Sequence, residues 1–271
     1  MIKAGVLGWP ISHSKSPLIH GHWLQHHGID GSYDKIAVEP DALGDELRRL
    51  MQEGYAGVNV TLPHKEEALE FSHHMSAAAR EIGAANTLVF GEGRIFADNT
   101  DVAGFYENLR QSAPDWRANH GPALVLGAGG AARAILYALL KAGAPKIYLS
   151  NRTGARAEEL AAAFGPQIEV IDWDEKTASL HEVTTLVNTT ALGMNGENDL
   201  ALDLTRMPRG ALVTDIVYTP LETGLLRDAK SLGLQTVDGL GMLLHQAVPG
   251  FEYWFGKRPE VTPELRKVVL G

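Results

Sequence analysis

The stretch ALVLGAGGAARAILYAL, residues 123–139, constrains the fold more than any other part of the sequence. It reads as a strand, a tight glycine turn and a helix. The turn is spelled G-x-G-G-x-A. Glycines let the backbone approach a pyrophosphate closely, and the helix N-terminus supplies free N–H groups and a positive dipole. Within a series of strand–helix units, this pattern predicts a dinucleotide site, the alternative being a tight turn without a ligand.

Strand-like and helix-like patterns alternate along the whole chain, which predicts an α/β fold. The first part has predicted strands at 2–7, 35–38 and 57–61, a hairpin of 87–90 and 95–97, and helices at 18–27 and 42–53. The second part has predicted strands at 123–126, 146–150, 169–171, 186–188, 211–216 and 235–237, and helices at 131–142 and 155–164. The polar stretch 112–122 is the predicted linker, and residues 241–255 form a predicted apolar helix with Pro249 as a kink.

Composition excludes several classes of protein. The 271 residues are 45% hydrophobic and 21% charged, as in soluble globular proteins. The net charge of −9 argues against a nucleic-acid surface. No apolar run approaches the roughly 18 residues of a membrane span, and the opening MIKAGVLGWP is too short in its apolar part for a signal peptide. The chain has no cysteine, so thiolate chemistry is excluded and the cytoplasm is the expected compartment.

The segment after the second strand of the dinucleotide unit indicates which dinucleotide is bound. NAD sites usually carry Asp or Glu about 20 residues after the glycine turn. This sequence has no acid there and instead offers Asn151, Arg152, Thr153 and Arg156. Guanidinium groups and hydroxyl or amide donors suit a 2′-phosphate, which predicts NADP. The alternative, two solvated arginines at a helix start, is disfavoured because cations there are unfavourable without an anion.

Two polar segments of the first part are candidates for binding a substrate. PISHSKSP, residues 10–17, places Ser12, Ser14 and Ser16 after the first strand, where hydroxyls at a helix N-terminus suit a carboxylate. Ser16 before Pro17 is also a predicted N-cap.

NVTLPHKEEA, residues 59–68, is the second candidate segment and follows the third strand. Ligands of doubly wound sheets bind beyond the carboxyl ends of strands, so Thr61, Lys65 and the run 98–101 should share one edge. A Lys–Asp pair at that edge can exchange a proton with a substrate oxygen. The alternative for Lys65 is a solvated charge on a surface turn.

Eight motifs carry a resemblance to a known family. HSKSP, NVTLPHK, GAANT, NTD, GAGGAAR, NRT, NTTALGM and DGLGMLLHQA occur in the order seen in the shikimate dehydrogenase family, from roughly residue 5 to residue 255. The resemblance implies NADPH-dependent reduction of 3-dehydroshikimate to shikimate, a step of aromatic amino-acid biosynthesis. It also implies a substrate-binding and catalytic domain at 1–103, a Rossmann-type NADP domain at 104–238, and C-terminal helices at 239–271 that pack back on the first domain.

The same resemblance implies a role for individual residues. Lys65 is the acid/base and Asp101 its partner. The implied substrate ligands are Ser14, Ser16, Thr61, Asn86, Asp101, Tyr218 and Gln246. The implied cofactor lining is Gly127, Ala128, Gly129, Gly130, Ala131, Asn151, Arg152, Thr153, Arg156, Thr190, Met194, Ile216, Gly239 and Met242. One departure is Ala85, where the family commonly has Val, which affects local packing only.

Three rival interpretations remain. His22 and His26 are spaced as metal ligands on a helix, but without a motif such as H-E-x-x-H no metal is predicted. A quinate or dual quinate/shikimate dehydrogenase would often favour NAD and carry an acid after the second strand. A non-catalytic NADP-sensing module would lack Lys65 or Asp101, and both are present. The expected partners are small molecules, with monomer or homodimer left open.

Overall fold

The computed structural model describes all 271 residues and confirms the α/β fold class. The chain forms two compact units. Unit one comprises Met1–Gly104 and Leu244–Gly271, and unit two comprises Phe105–Leu243. None of the helices combines the length and the apolar character that a membrane span requires.

Strands and helices alternate along the chain. The strands are β1 Ile2–Gly8, β2 Gly31–Ala37, β3 Tyr55–Val60, β4 His74–Met75, β5 Thr87–Gly91, β6 Arg94–Asp98, β7 Ala123–Leu126, β8 Ile147–Ser150, β9 Ile168–Val170, β10 Thr185–Asn188, β11 Leu212–Asp215 and β12 Gln235–Val237. The helices are α1 Ser16–His27, α2 Leu43–Gln52, α3 Lys65–Glu70, α4 Ala77–Ile82, α5 Asp101–Ser112, α6 Gly130–Lys141, α7 Gly154–Phe164, α8 Gly224–Ser231, α9 Gly239–Phe255 and α10 Pro263–Leu270.

Unit one is built on a mixed sheet with the strand order β2-β1-β3-β5-β6-β4. β1 pairs in parallel with β2 and β3, whereas β3, β5 and β6 are antiparallel neighbours. β1 reads as one apolar run because it is buried from Ala4 onward, as central strands covered on both faces are. Parallel pairing of β1 and β3 brings the segments that follow them, the serine-rich loop and the Lys65 turn, to one edge of the sheet.

Unit two is built on an all-parallel sheet with the order β12-β11-β10-β7-β8-β9. Counted from its own first strand β7, this is the 3-2-1-4-5-6 order of doubly wound dinucleotide-binding folds. The order reverses between β7 and β10, so the crevice that receives a ligand lies beyond Leu126 and Asn188. The glycine turn predicted to bind a pyrophosphate starts directly after Leu126.

The linker prediction for residues 112–122 is wrong. The whole stretch belongs to unit two, and its Trp116 Nε1 donates to Thr185 Oγ1 at 2.9 Å. Ala113 and Ala118 are almost fully buried. The chain changes units within helices instead, inside α5 after Gly104 and inside α9 after Leu243.

Candidate active site

The turn from β3 into α3 fixes the backbone of Lys65. His64 is buried, and its ring Nε2 lies 2.8 Å from the Val38 carbonyl oxygen. The His64 N–H donates to the Thr61 oxygen at 3.1 Å, and the Lys65 oxygen accepts from the Ala85 N–H at 2.7 Å. No role was predicted for His64, which directly precedes the predicted acid/base and fixes the backbone there.

Lys65 and Asp101 form a close, largely buried ion pair. Lys65 Nζ lies 2.5 Å from Asp101 Oδ2, and the two side chains are 12% and 8% exposed. Lys65 is therefore not a solvated turn charge. Asp101 is the first residue of α5, where the helix dipole favours a carboxylate. Because removing two charges from water is costly, the pair needs the further hydrogen bonds that surround it.

Asn86 organises those hydrogen bonds. Its Nδ2 donates to Asp101 Oδ1 at 2.9 Å and lies 3.3 Å from Gln246 Oε1. Its Oδ1 accepts from the Thr100 N–H at 2.7 Å and from Thr87 Oγ1 at 3.0 Å. Thr100 Oγ1 also donates to the Gln246 carbonyl at 2.8 Å. The structure thus brings four of the predicted residues together in unit one: Lys65, Asn86, Asp101 and Gln246.

The serine-rich loop leads into α1. Ser16 is the first residue of the helix and Lys15 stands at the N-cap position without a side-chain cap bond, so the prediction of Ser16 as the N-cap is wrong. Ser14 lies one residue before this N-cap, and its Oγ accepts from the Ser16 N–H at 3.3 Å. Ser16 is buried, Ser14 is half-buried, and the half-buried Thr61 follows β3 at the same sheet edge.

The glycine turn after β7 leaves room for a ligand. Gly127 has φ +106°, and a Cβ there would lie 2.6 Å from Thr189 Oγ1, so only glycine fits. A Cβ at Gly129 would meet no atom within 4 Å. Gly129 caps α6, whose first turn carries no acid. The turn of residues 127–131 therefore presents open space and an unopposed helix N-terminus, which suit a pyrophosphate.

The segment after β8 has the features of a 2′-phosphate site. Asn151 Nδ2 donates to the Thr153 carbonyl at 2.8 Å and shapes the turn. Thr153 stands at the N-cap of α7 without a side-chain cap bond, and the first turn has no acid. Arg152 and Arg156 are exposed. The start of α7 therefore offers two guanidinium groups and an uncapped helix N-terminus. No carboxylate in the first turn neutralises them.

The other predicted cofactor residues lie on segments after β10 and β11 and at the start of α9. Thr190 Oγ1 donates to Asn188 Oδ1 at 2.7 Å. A Cβ at Gly239 would lie 2.4 Å from the Ile216 oxygen, so these two residues are in close contact. Met194 is 43% exposed in a short 3-10 turn, and Met242 is buried in α9.

Tyr218 and Asp215 lie at the end of β11 in unit two. Burial raises the pKa of the Tyr218 hydroxyl above its ordinary value. Asp215 was not predicted. Its carboxylate accepts from the Val217 N–H, Asn188 Nδ2 and Thr223 Oγ1, while burial raises its pKa. Through these bonds Asp215 fixes the end of β11, which Ile216 and Tyr218 follow. One of its partners, Asn188, lies 27 residues away in the sequence, so the role of Asp215 is not visible in a local motif.

Models of known protein families match three parts of this sequence. The shikimate dehydrogenase substrate-binding domain matches residues 6–88, shikimate / quinate 5-dehydrogenase matches 109–199, and the shikimate 5′-dehydrogenase C-terminal domain matches 239–270. The chain is 58% identical to the shikimate dehydrogenase (NADP(+)) of Rhodospirillum rubrum, over 99% of this chain and 96% of that protein.

The chain belongs to the shikimate dehydrogenase family.

Solved members of the shikimate dehydrogenase family share the whole fold. The Thermus thermophilus shikimate 5-dehydrogenase, solved with NADP(H) and shikimate, aligns with a TM-score of 0.87 at 38% identity, covering 99% of this chain and 98% of that chain. The quinate dehydrogenase of Corynebacterium glutamicum, solved with NAD, aligns with a TM-score of 0.91 at 29% identity over the same shares. Fold similarity alone therefore does not separate shikimate from quinate or NADP from NAD.

Proposed function

We propose that the protein is an NADP-dependent shikimate dehydrogenase that reversibly reduces 3-dehydroshikimate to shikimate. The observation that carries the proposal is the buried Lys65–Asp101 pair, held by Asn86 at the edge of the unit-one sheet. A Lys ammonium held by a carboxylate can give a proton to a carbonyl oxygen as that oxygen becomes a hydroxyl. The names of the most similar relatives support the same reaction and the same cofactor.

Each side chain has a definable part in the proposed reaction. When bound, NADPH would supply the hydride to the substrate carbonyl carbon. Lys65 Nζ donates a hydrogen bond to the carbonyl oxygen, and its proton passes to that oxygen as the C–O double bond becomes single. Asp101 stays ionised, holds Lys65 in place, and stabilises its charged form before transfer. Asn86 fixes the Asp101 carboxylate through the 2.9 Å bond to Oδ1.

The remaining polar residues orient the substrate. Ser14 and Ser16 are proposed to bind its carboxylate, because hydroxyl donors at the start of α1 suit an anion. Thr61, Asn86, Gln246 and Tyr218 are proposed to bind its hydroxyl groups. Correct orientation of a bound substrate accounts for a large part of enzymatic rate enhancement.

The cofactor is proposed to be NADP. Residues 127–131 would hold the pyrophosphate at the N-terminus of α6, and residues 151–156 would hold the 2′-phosphate at the N-terminus of α7. The absence of an acid from the first turn of α7 favours the phosphate over a free ribose hydroxyl. The proposed lining is completed by Thr190, Met194, Ile216, Gly239 and Met242.

Quinate oxidation is the second candidate, because one matching family model is that of shikimate / quinate 5-dehydrogenase. A purely NADP-sensing protein is disfavoured, since it would not need a buried Lys65–Asp101 pair. Action in the cytoplasm, and a monomer or homodimer, remain predictions.

A spectrophotometric assay separates these candidates. Shikimate and quinate are each offered with NADP⁺ and with NAD⁺, and the absorbance of reduced nicotinamide is followed. We expect the highest kcat/KM with shikimate and NADP⁺. A higher value with quinate or with NAD⁺ would reverse the assignment of substrate or cofactor.

The Lys65–Asp101 pair is tested by substitution. Lys65→Ala should lower kcat by about 10²–10⁴-fold or more and leave the KM for shikimate nearly unchanged, because the proton is transferred only in the transition state. Asp101→Asn should also lower kcat. The double variant should be little worse than the worse single variant, since the two side chains act as one unit.

The matched control is Lys230→Ala, which removes a Lys of an exposed ion pair with Glu222 and should leave kcat unchanged. Circular dichroism verifies folding. A folded Lys65→Ala enzyme with the parent kcat would mean that Lys65 takes no part in the chemistry.

A further inference from the structure

The loop that carries the proposed carboxylate-binding serines is tied to two other elements by lysine side chains. Lys15, between Ser14 and Ser16, donates from Nζ to the Val269 carbonyl oxygen at 2.8 Å. Lys35 of β2 donates from Nζ to the Ser12 carbonyl oxygen at 2.5 Å. The segment 12–16 is therefore held at both ends. Lys35 binds its first residue from β2, and Lys15 binds from within the segment to α10.

The acceptor of the Lys15 bond suits a cation. Val269 lies in the last turn of α10, where backbone carbonyls have no partner within the helix and the negative end of the helix dipole is located. An ammonium group there satisfies a carbonyl and meets a favourable field.

α10 is a firm support for this bond because it packs on α1 independently of Lys15. Leu265 and Val269 are almost fully buried. Trp23 of α1 donates from Nε1 to the Glu260 carbonyl, just before α10, at 3.0 Å. Because α10 is held in place by these other contacts, a bond from Lys15 to α10 restrains the loop.

We propose that Lys15 is a positioning residue, which sets Ser14 and Ser16 for the substrate carboxylate by holding the loop to the C-terminal turn of α10. The inference rests on the proposed function. A Lys between two anion-binding serines would ordinarily be taken as a direct ligand of the anion. The 2.8 Å bond instead directs the ammonium to the carbonyl oxygen of Val269, which lies 254 residues further along the chain.

Four variants of the full-length enzyme test the proposal. Lys15→Met keeps the aliphatic stem and removes the ammonium, and deletion of residues 269–271 removes the acceptor together with the buried Val269 side chain. Lys15→Arg restores a donor. Lys257→Met, at an exposed position in the same unit, is the matched control.

The kinetic result expected is a selective rise in KM. Lys15→Met and the deletion should each raise the KM for shikimate roughly tenfold, as for loss of one hydrogen bond to a charged group, with kcat and the KM for NADP⁺ unchanged. Combining them should give no further rise, because both remove the same bond. Lys15→Arg should stay near the parent, and Lys257→Met should equal it. An unchanged KM in Lys15→Met, a change in Lys15→Met with none in the deletion, or effects that multiply would each overturn the proposal.

Hydrogen exchange gives a readout that does not depend on turnover. Amides of residues 10–17 should exchange faster in Lys15→Met and in the deletion variant than in the parent and Lys257→Met, whereas equal exchange would overturn the tether. If the parent enzyme oxidises no shikimate, the proposed function fails, while the exchange measurement still decides whether Lys15 restrains the loop.

Discussion

His20 makes the stability of unit one depend on pH. It lies on α1, is fully buried, and neither ring nitrogen has a hydrogen-bond partner. Its ring stacks on Tyr33 with centroids 3.8 Å apart, and Trp23, Phe251 and Trp254 surround it. None of these neighbours carries a negative charge, and burial lowers the pKa of His20 from 6.5 to about 3.

The sign and size of the effect follow from this shift. The unfolded chain takes up a proton at His20 near pH 6.5, whereas the folded chain does so only near pH 3, so acid favours unfolding. The stability contributed by the neutral ring is complete above pH 6.5 and is lost as the pH falls toward 3. Between about pH 8 and about pH 5, this one group should cost roughly 2 kcal/mol of the free energy of unfolding.

Urea unfolding at the two pH values measures the cost, with tryptophan fluorescence as the probe because Trp23 and Trp254 border His20. His20→Phe keeps an aromatic ring against Tyr33 but cannot be protonated. Between about pH 8 and about pH 5, the free energy of unfolding of His20→Phe should fall by about 2 kcal/mol less than that of the parent. His26→Phe, on the exposed side of α1, should behave as the parent does. Equal losses in His20→Phe and the parent would refute the reasoning.

Two further substitutions test the binding sites. Arg152→Asp should weaken NADP binding by about 1.5–3 kcal/mol for each charge-assisted hydrogen bond lost and affect NAD much less, as measured by the Kd of each cofactor. Equal losses would contradict the 2′-phosphate assignment. Ser14→Ala should raise the KM for shikimate, since it removes a donor and the acceptor of the Ser16 N–H. The methyl ester of shikimate should bind the parent poorly and the variant equally poorly. An ester that bound as tightly as the acid would contradict the carboxylate role.

The sequence predicted the strands of unit two closely, whereas its helix α8 was missed. Residues 123–126 and 235–237 were predicted as strands and are β7 and β12. Each is a short apolar or β-branched run bounded by turn residues, so its ends are visible locally. α4 was missed because its six residues are too few to show a helical period.

The linker was misplaced for a related reason. Polar composition near 112–122 suggested a boundary, but Trp116 is half-buried and donates to Thr185 of β10, and Ala118 is buried. Amino-acid composition indicates which segments can be exposed to water. It does not indicate where the chain passes from one compact unit to the other.

The candidate site divides in the same way. Lys65, Asp101 and Asn86 stand out by residue type and motif position, although their catalytic roles remain predictions. No individual role was predicted for Thr87 or Thr100, because their part is to fix Asn86 through hydrogen bonds that only the folded chain forms. A side chain whose part is to fix the position of another cannot be recognised from its residue type in the sequence.

The division of the chain into units has a consequence for biosynthesis. Residues 244–271 belong to unit one but are translated after the whole of unit two. They supply Phe251 and Trp254, which pack around His20 and Tyr33. On the ribosome, unit two can therefore complete its core while the first 104 residues still lack these aromatic partners. The half of the molecule that begins to emerge first can complete its packing only after the whole of the other half has been synthesised.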